Sequence, residues 1–150
     1  MFRNLLVAVD GSAPAGRAVA AAADFARNAG AKLTLIHVLT RGGGYQVPEE
    51  LKGFAALEHV RVTEHDIIEQ AGREILLQAE AQARKAGATD VSALLEAGDP
   101  ARVIAETVRK NGIDLVVMGR RGLGDLGGLL LGSVSHKVAQ AVDCSCLTVK

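Results

Sequence analysis

The chain contains no tryptophan, one tyrosine and three phenylalanines. Surfaces that hold single-stranded nucleic acid stack bases on aromatic rings, so nucleic acid is not an expected partner. Charge of one sign is missing as well, because 17 Lys and Arg balance 17 Asp and Glu. With no global field to attract anions, any bound anion has to be held by local geometry. No apolar run approaches the length needed to cross a bilayer, so no membrane association is expected. The opening residues, Met1 to Asp10, lack a long apolar stretch and a cleavage-like site, and read as a first strand. Two cysteines, Cys144 and Cys146, make no disulfide framework and point to a reducing, cytoplasmic compartment. Their spacing sets both side chains on one face of a strand. Without nearby Cys or His partners they are an incomplete ligand set for zinc. No Gly-Lys pair occurs, which removes the Walker A phosphate loop.

What is present is an apolar half, 49% of 150 residues, enough for one domain spanning 1–150. Five runs rich in Leu and β-branched residues read as strands: Leu5–Val9, Lys32–Leu39, Val91–Leu95, Ile113–Met118 and Cys146–Val149. The first, second and fourth are apolar almost throughout, as strands covered by helices on both faces are. Between them lie segments of helical period. From Pro14 to Asn28, the residues Val19, Ala22, Ala23 and Ala26 form one stripe, with Ser12 as cap and Gly30 as stop. From about Val60 to Ala86, Ile67, Ala71, Ile75, Ala79 and Ala83 recur every four residues, and Gly87 ends the run. Two further helices are predicted, from Pro100 to Lys110 and from Gly132–Ser133 to Asp143. Strand and helix alternate throughout, which predicts a single-domain α/β fold, an open twisted five-stranded parallel sheet with helices on both faces. The long connection from Thr40 to His59 opens with Arg41-Gly42-Gly43-Gly44 and is expected to be a loop, either over a site or without a role.

Ligands of such sheets bind beyond the carboxyl ends of the strands. Three segments there carry chemistry: Asp10-Gly11-Ser12, Gly98-Asp99-Pro100, and the stretch from Gly119 to Ser135. The last places six glycines within Gly119–Ser133, directly after a buried strand. Backbone without Cβ atoms can approach a ligand closely and turn successive N–H groups inward as an anion nest. Gly132-Ser133 also opens a helix, whose free amides and positive dipole end favour the same anion. The hydroxyls of Ser133 and Ser135 are candidate donors to phosphate oxygens. A turn-rich loop with an ordinary serine cap is the alternative reading. Gly122 to Gly127 formally fits G-x-G-x-x-G, but the chain lacks the following helix, strand and acidic residue which that fingerprint needs.

The spacing Gly-x2-Gly-x9-Gly-Ser/Thr, met here by Gly119, Gly122, Gly132 and Ser133, resembles that of the universal stress protein family, in its ATP-binding, A-type subgroup. Leu115–Gly119, Leu130–Ser135, Ala8–Ser12 and Leu35–Val38 carry the same likeness, which extends over the whole chain. The resemblance implies a Rossmann-like sheet of the adenine nucleotide alpha hydrolase type, with strand order 3-2-1-4-5. It implies ATP as ligand, with Mg as companion. Asp10 and the backbone of Ala8 and Val9 would contact adenine or ribose, and Val38 would pack on the base. Met118 and Gly119 would line the ribose side, while Gly122, Gly132, Ser133 and Val134 would cradle the phosphates. A turn role for Asp10, and plain core packing for Val38 and Met118, are the bland alternatives. It further implies a homodimer through the last strand and an unidentified signalling partner.

Two departures stand out. Arg120-Arg121 occupy the gap between the first two glycines, where Arg121 is a candidate phosphate partner or a solvated cation. Cys144-Ser145-Cys146-Leu147 replaces the usual Cys-Pro-Val-Leu, which restores one backbone N–H to the last strand.

Catalysis has less support. His37 falls within a strand, where a core histidine with its bonds satisfied is the expected outcome. His136, on the last helix, is a less favoured phosphate contact, and His59 and His65 read as solvated. The expected function is therefore an ATP-binding regulatory module of the stress response, with little or no dedicated catalysis. A slow Mg-dependent ATPase and an interaction module that binds no nucleotide are the alternatives.

Overall fold

The computed structural model describes residues 1–40, 63–122 and 132–150. The segments 41–62 and 123–131 lie outside the described residues, and with them His59, most of the Thr40–His59 connection and most of the G-x-G-x-x-G match.

Strands β1 (Asn4–Ala8), β2 (Lys32–Leu39), β3 (Val91–Ala97), β4 (Leu115–Gly119) and β5 (Ser145–Val149) alternate with helices α1 (Ala13–Ala29), α2 (Glu64–Lys85), α3 (Pro100–Asn111) and α4 (Ser133–Ala141). The sheet is parallel throughout, in the order β3-β2-β1-β4-β5. Side chains alternate across each strand, and the alternation divides the core in two. Leu5, Val7, Leu33, Leu35 and Val117 pack with Val19, Ala22 and Ala26 of α1 and Leu76, Ala79 and Ala83 of α2. Leu6, Ile36, Val116 and Met118 face the other way, against Val103, Ile104 and Val108 of α3 and Val138 of α4. Cys144 and Cys146 both pack on this second cluster, as their spacing predicts.

The helix limits follow from local chemistry. Ser12 caps α1, its hydroxyl accepting from Ala15 N at 3.3 Å, and Asp99 caps α3, accepting from Arg102 N at 3.0 Å. Helix α2 begins in a capping box in which Thr63 and Asp66 bond each other reciprocally. These bonds, the Thr63 hydroxyl's first, hold the Asp66 carboxyl below the usual range. Gly30 and Gly112 end α1 and α3 in the left-handed conformation, at φ of 61° and 59°.

The chain runs outward from β1 through β2 to β3 and then returns to lay β4 on the other side of β1. Strand order reverses between β1 and β4, where Ala8 is registered with Met118. That crevice is the expected ligand position in an open parallel sheet. Two of the three segments of predicted chemistry, those after β1 and after β4, emerge beside it, while Gly98-Asp99-Pro100 follows the edge strand β3.

Candidate functional site

A cavity of about 500 Å³ opens at the carboxyl ends of β1, β2 and β4. All twelve residues proposed from sequence line it. Ala8, Val9 and Asp10 come from the end of β1, Val38 from β2, and Met118, Gly119, Arg121 and Gly122 from β4 and its extension. Gly132, Ser133, Val134 and Ser135 supply the start of α4.

Asp10 is held by its own turn, since its Oδ1 accepts from Ser12 N at 2.9 Å. The other carboxylate oxygen stands opposite Gly122. A Cβ at Gly122 would lie 2.5 Å from Asp10 Oδ2, so any larger residue there would have to displace the carboxylate. Gly119 is glycine for a different reason. A Cβ there would stand 2.9 Å from Pro14 Cβ and 3.0 Å from Ala15 N, against the first turn of α1.

The two ends of the glycine-rich segment are pinned through Arg120. Its N–H donates to Val149 O at 2.6 Å, while its carbonyl accepts from Gly132 N at 2.8 Å. The Ser135 hydroxyl, buried, lies 3.0 Å from Gly132 O and 3.2 Å from Arg120 O. A hydroxyl has a single proton, and here carbonyl oxygens claim it. Ser135 therefore lines the cavity as a clasp of its wall, in place of the phosphate donor that sequence suggested.

Helix α4 differs from the others at its start. Ser12, Thr63 and Asp99 satisfy first-turn amides of α1, α2 and α3 with side-chain oxygens. The N-cap of α4 is Gly132, which offers no side chain, and no such bond is made. Its first turn, with Ser133 and Val134 exposed, faces the cavity. Unsatisfied amides together with the helix dipole make this end attractive to an anion.

The opposite wall was not anticipated. Ile68, Ala71, Gly72 and Ile75 of α2 line the cavity, facing Leu39 and Thr40 at the end of β2. The four-residue stripe read from sequence thus serves two purposes, since Ala79 and Ala83 are core while Ala71 and Ile75 line the cavity. Gly72 was the available signal: a glycine inside a helix, far from either cap, is unfavourable unless something packs close to it. Pro100 and Ile104 of α3 also reach the cavity, whereas Asp99 is engaged as a cap.

Of the histidines, His37 is half-buried and lines the cavity, with Nδ1 2.7 Å from Val9 O, so the expected core position is corrected to a cavity wall. His136 is exposed and is not among the lining residues. His65 is exposed, 3.6 Å from Glu69. Among the described residues, no three His, Cys, Asp or Glu side chains converge as metal ligands. None of the described helices is long and apolar enough to cross a membrane. The Ser145 N–H, present because proline is absent there, donates to Asp114 O at 3.3 Å and so ties β5 into the sheet.

The model of the universal stress protein family matches residues 1–150. The chain belongs to the universal stress protein family. It is 33% identical over 156 residues to the universal stress protein YxiE of Bacillus subtilis, covering all of both chains. It is 36% identical over 150 residues to a Thermus aquaticus universal stress protein, again end to end. Among solved structures, a universal stress protein from Archaeoglobus fulgidus superposes with a TM-score of 0.74 at 27% identity, covering all of both chains. A universal stress protein in complex with cAMP also superposes with a TM-score of 0.74, at 27% identity, over 99% of this chain and 97% of that one.

Proposed function

We propose that this universal stress protein is a regulatory module of the stress response that binds ATP in the cavity at the carboxyl ends of β1, β2 and β4. The observation that carries the reading is the start of α4, without a side-chain cap and facing a cavity lined by Asp10 and Gly122. Its amides would take the phosphates, with Arg121 as an added cation at the rim. Val38 and Met118 would pack on base and ribose, and Asp10 would accept from base or ribose. The relative in complex with cAMP supports an adenine nucleotide as ligand class. Mg would accompany the triphosphate. No residue of the cavity is given a dedicated catalytic role in this reading.

The working form is a cytoplasmic homodimer joined at β5, with nucleotide occupancy altering a surface read by a signalling partner. The position of β5 at the sheet edge supports this, because an edge strand offers unpaired backbone groups to a second copy. Acid extraction of freshly purified protein, followed by mass analysis, tests the ligand. Released ATP, and a melting temperature raised by added ATP, are the expected results. No released adenine nucleotide, together with an unmoved melting temperature, would mark the chain as an interaction module with an empty cavity.

A further inference from the structure

Strands β1 and β2 stop pairing one rung early, and a side chain takes the missing rung's place. The two strands run in register from Asn4 and Lys32 to Ala8 and Ile36, which sets Val9 opposite His37. In a parallel ladder, one residue's N–H and C=O bond the two residues that flank its counterpart. Val9 is therefore due one bond to Ile36 and one to Val38. The first is made, Val9 N donating to Ile36 O at 2.9 Å. The second, from Val38 N to Val9 O, is absent among the described residues. The His37 ring holds that carbonyl instead, with Nδ1 2.7 Å from Val9 O. A carbonyl can only accept, so Nδ1 carries the proton. Helix α2 keeps the ring there. A Cβ at Gly72 would stand 2.9 Å from His37 Cδ2, and as close to Leu39 Cδ2 and Leu95 Cδ1, so the bare glycine lets the helix close on the imidazole.

We propose that His37 is a positioning residue that keeps the β1–β2 seam unzipped at the mouth of the cavity. With Val9 O taken by the ring, the next rung does not form. A closed rung would draw Val9 and Asp10 towards Val38, and all three line the cavity. The opening thus exists before a ligand arrives, and the ligand is spared the cost of parting the strands. The ring acts from the α2 side of the sheet and needs no contact with the ligand. The consequence for binding rests on the reading of the cavity as a nucleotide site, whereas the open seam does not.

Amide resonances of the full chain without nucleotide test the seam itself. In the wild type, Val38 N–H is expected to exchange at least about tenfold faster than Ile36 N–H, which lies within the paired register. A scalar coupling through the hydrogen bond should join the Val9 carbonyl carbon to His37 Nδ1 and not to Val38 N. His37→Leu keeps the apolar bulk and removes the donor. Val38 exchange is then expected to slow at least about tenfold as the rung closes, and ATP affinity to fall about tenfold. His37→Asn restores an N–H near the Nδ1 position and should return both values towards the wild type. A coupling from Val9 to Val38 in the wild type overturns the assignment, even where His37→Leu fails to fold. Unchanged Val38 exchange in a folded His37→Leu overturns it too. A seam that closes in that variant with ATP affinity unaltered overturns the positioning role. A wild type with an open seam that binds no adenine nucleotide contradicts the nucleotide reading alone.

Discussion

Gly122 and Asp10 stand so close that a Cβ on the glycine would lie 2.5 Å from the carboxylate oxygen Oδ2. They follow β1 and β4, the two strands of the crevice, and both line the cavity. Because the obstructing atom is the free end of a side chain, a larger residue at 122 can be accommodated by rotating Asp10. Gly122→Val is therefore expected to fold, with a melting temperature within a few degrees of the wild type. Its effect falls on the ligand, since both the carboxylate and the added branches intrude on the cavity. Nucleotide affinity is expected to fall at least about tenfold by calorimetry; unchanged affinity would remove Gly122 and Asp10 from the site.

Gly119 gives the opposite pattern. The atoms a Cβ would meet include Ala15 N and Arg121 O, both backbone, which cannot swing aside. Gly119→Ala should cost about 1–3 kcal/mol of stability, as overpacking does, measured by chemical denaturation. A loss confined to nucleotide affinity, with stability intact, would show that Gly119 serves the ligand alone.

Which residues were legible from sequence follows the same division. Strand β2 was read residue for residue, because Lys32 to Leu39 is apolar and β-branched between clear stops. Strand β1 starts one residue earlier than read, at Asn4, a polar residue whose place in the sheet is set by pairing with Lys32. The twelve residues named from sequence all line one cavity, because glycine spacing, strand ends and the family likeness are all read from local sequence. The α2 wall was not found, since a helical stripe looks the same over a core as over a cavity. His37 was misplaced for a related reason: Val9, its hydrogen-bond partner, lies 28 residues away and is joined to it only by the β1–β2 pairing.

Ser135 clasps the cavity wall through Gly132 O and Arg120 O. Ser135→Ala is expected to lower stability by about 0.5–1.5 kcal/mol. Hydrogen exchange at the first turn of α4 should quicken in the same variant. Unaltered exchange there would mean that Gly132 N and Arg120 O hold the wall without the hydroxyl.

Burial pushes both the Cys144 and Cys146 thiols above their ordinary range. The native state therefore favours the protonated thiols, and unfolded chains ionise first as pH rises. The associated stability is complete below the unfolded thiol range and is lost as pH climbs towards the folded values. Denaturation of the wild type and of a Cys144→Ser, Cys146→Ser double variant should diverge between about pH 8 and pH 10. The wild type is expected to lose more stability over that interval. A constant difference between them would contradict the shift.

The start of α4 as an anion cradle is tested most directly by following backbone amide resonances while ATP is added. The largest shifts are expected at Gly122, Ser133 and Val134, saturating at one nucleotide per chain, with β3 scarcely affected. Saturating shifts elsewhere on the molecule, with these three amides unmoved, would contradict the assignment.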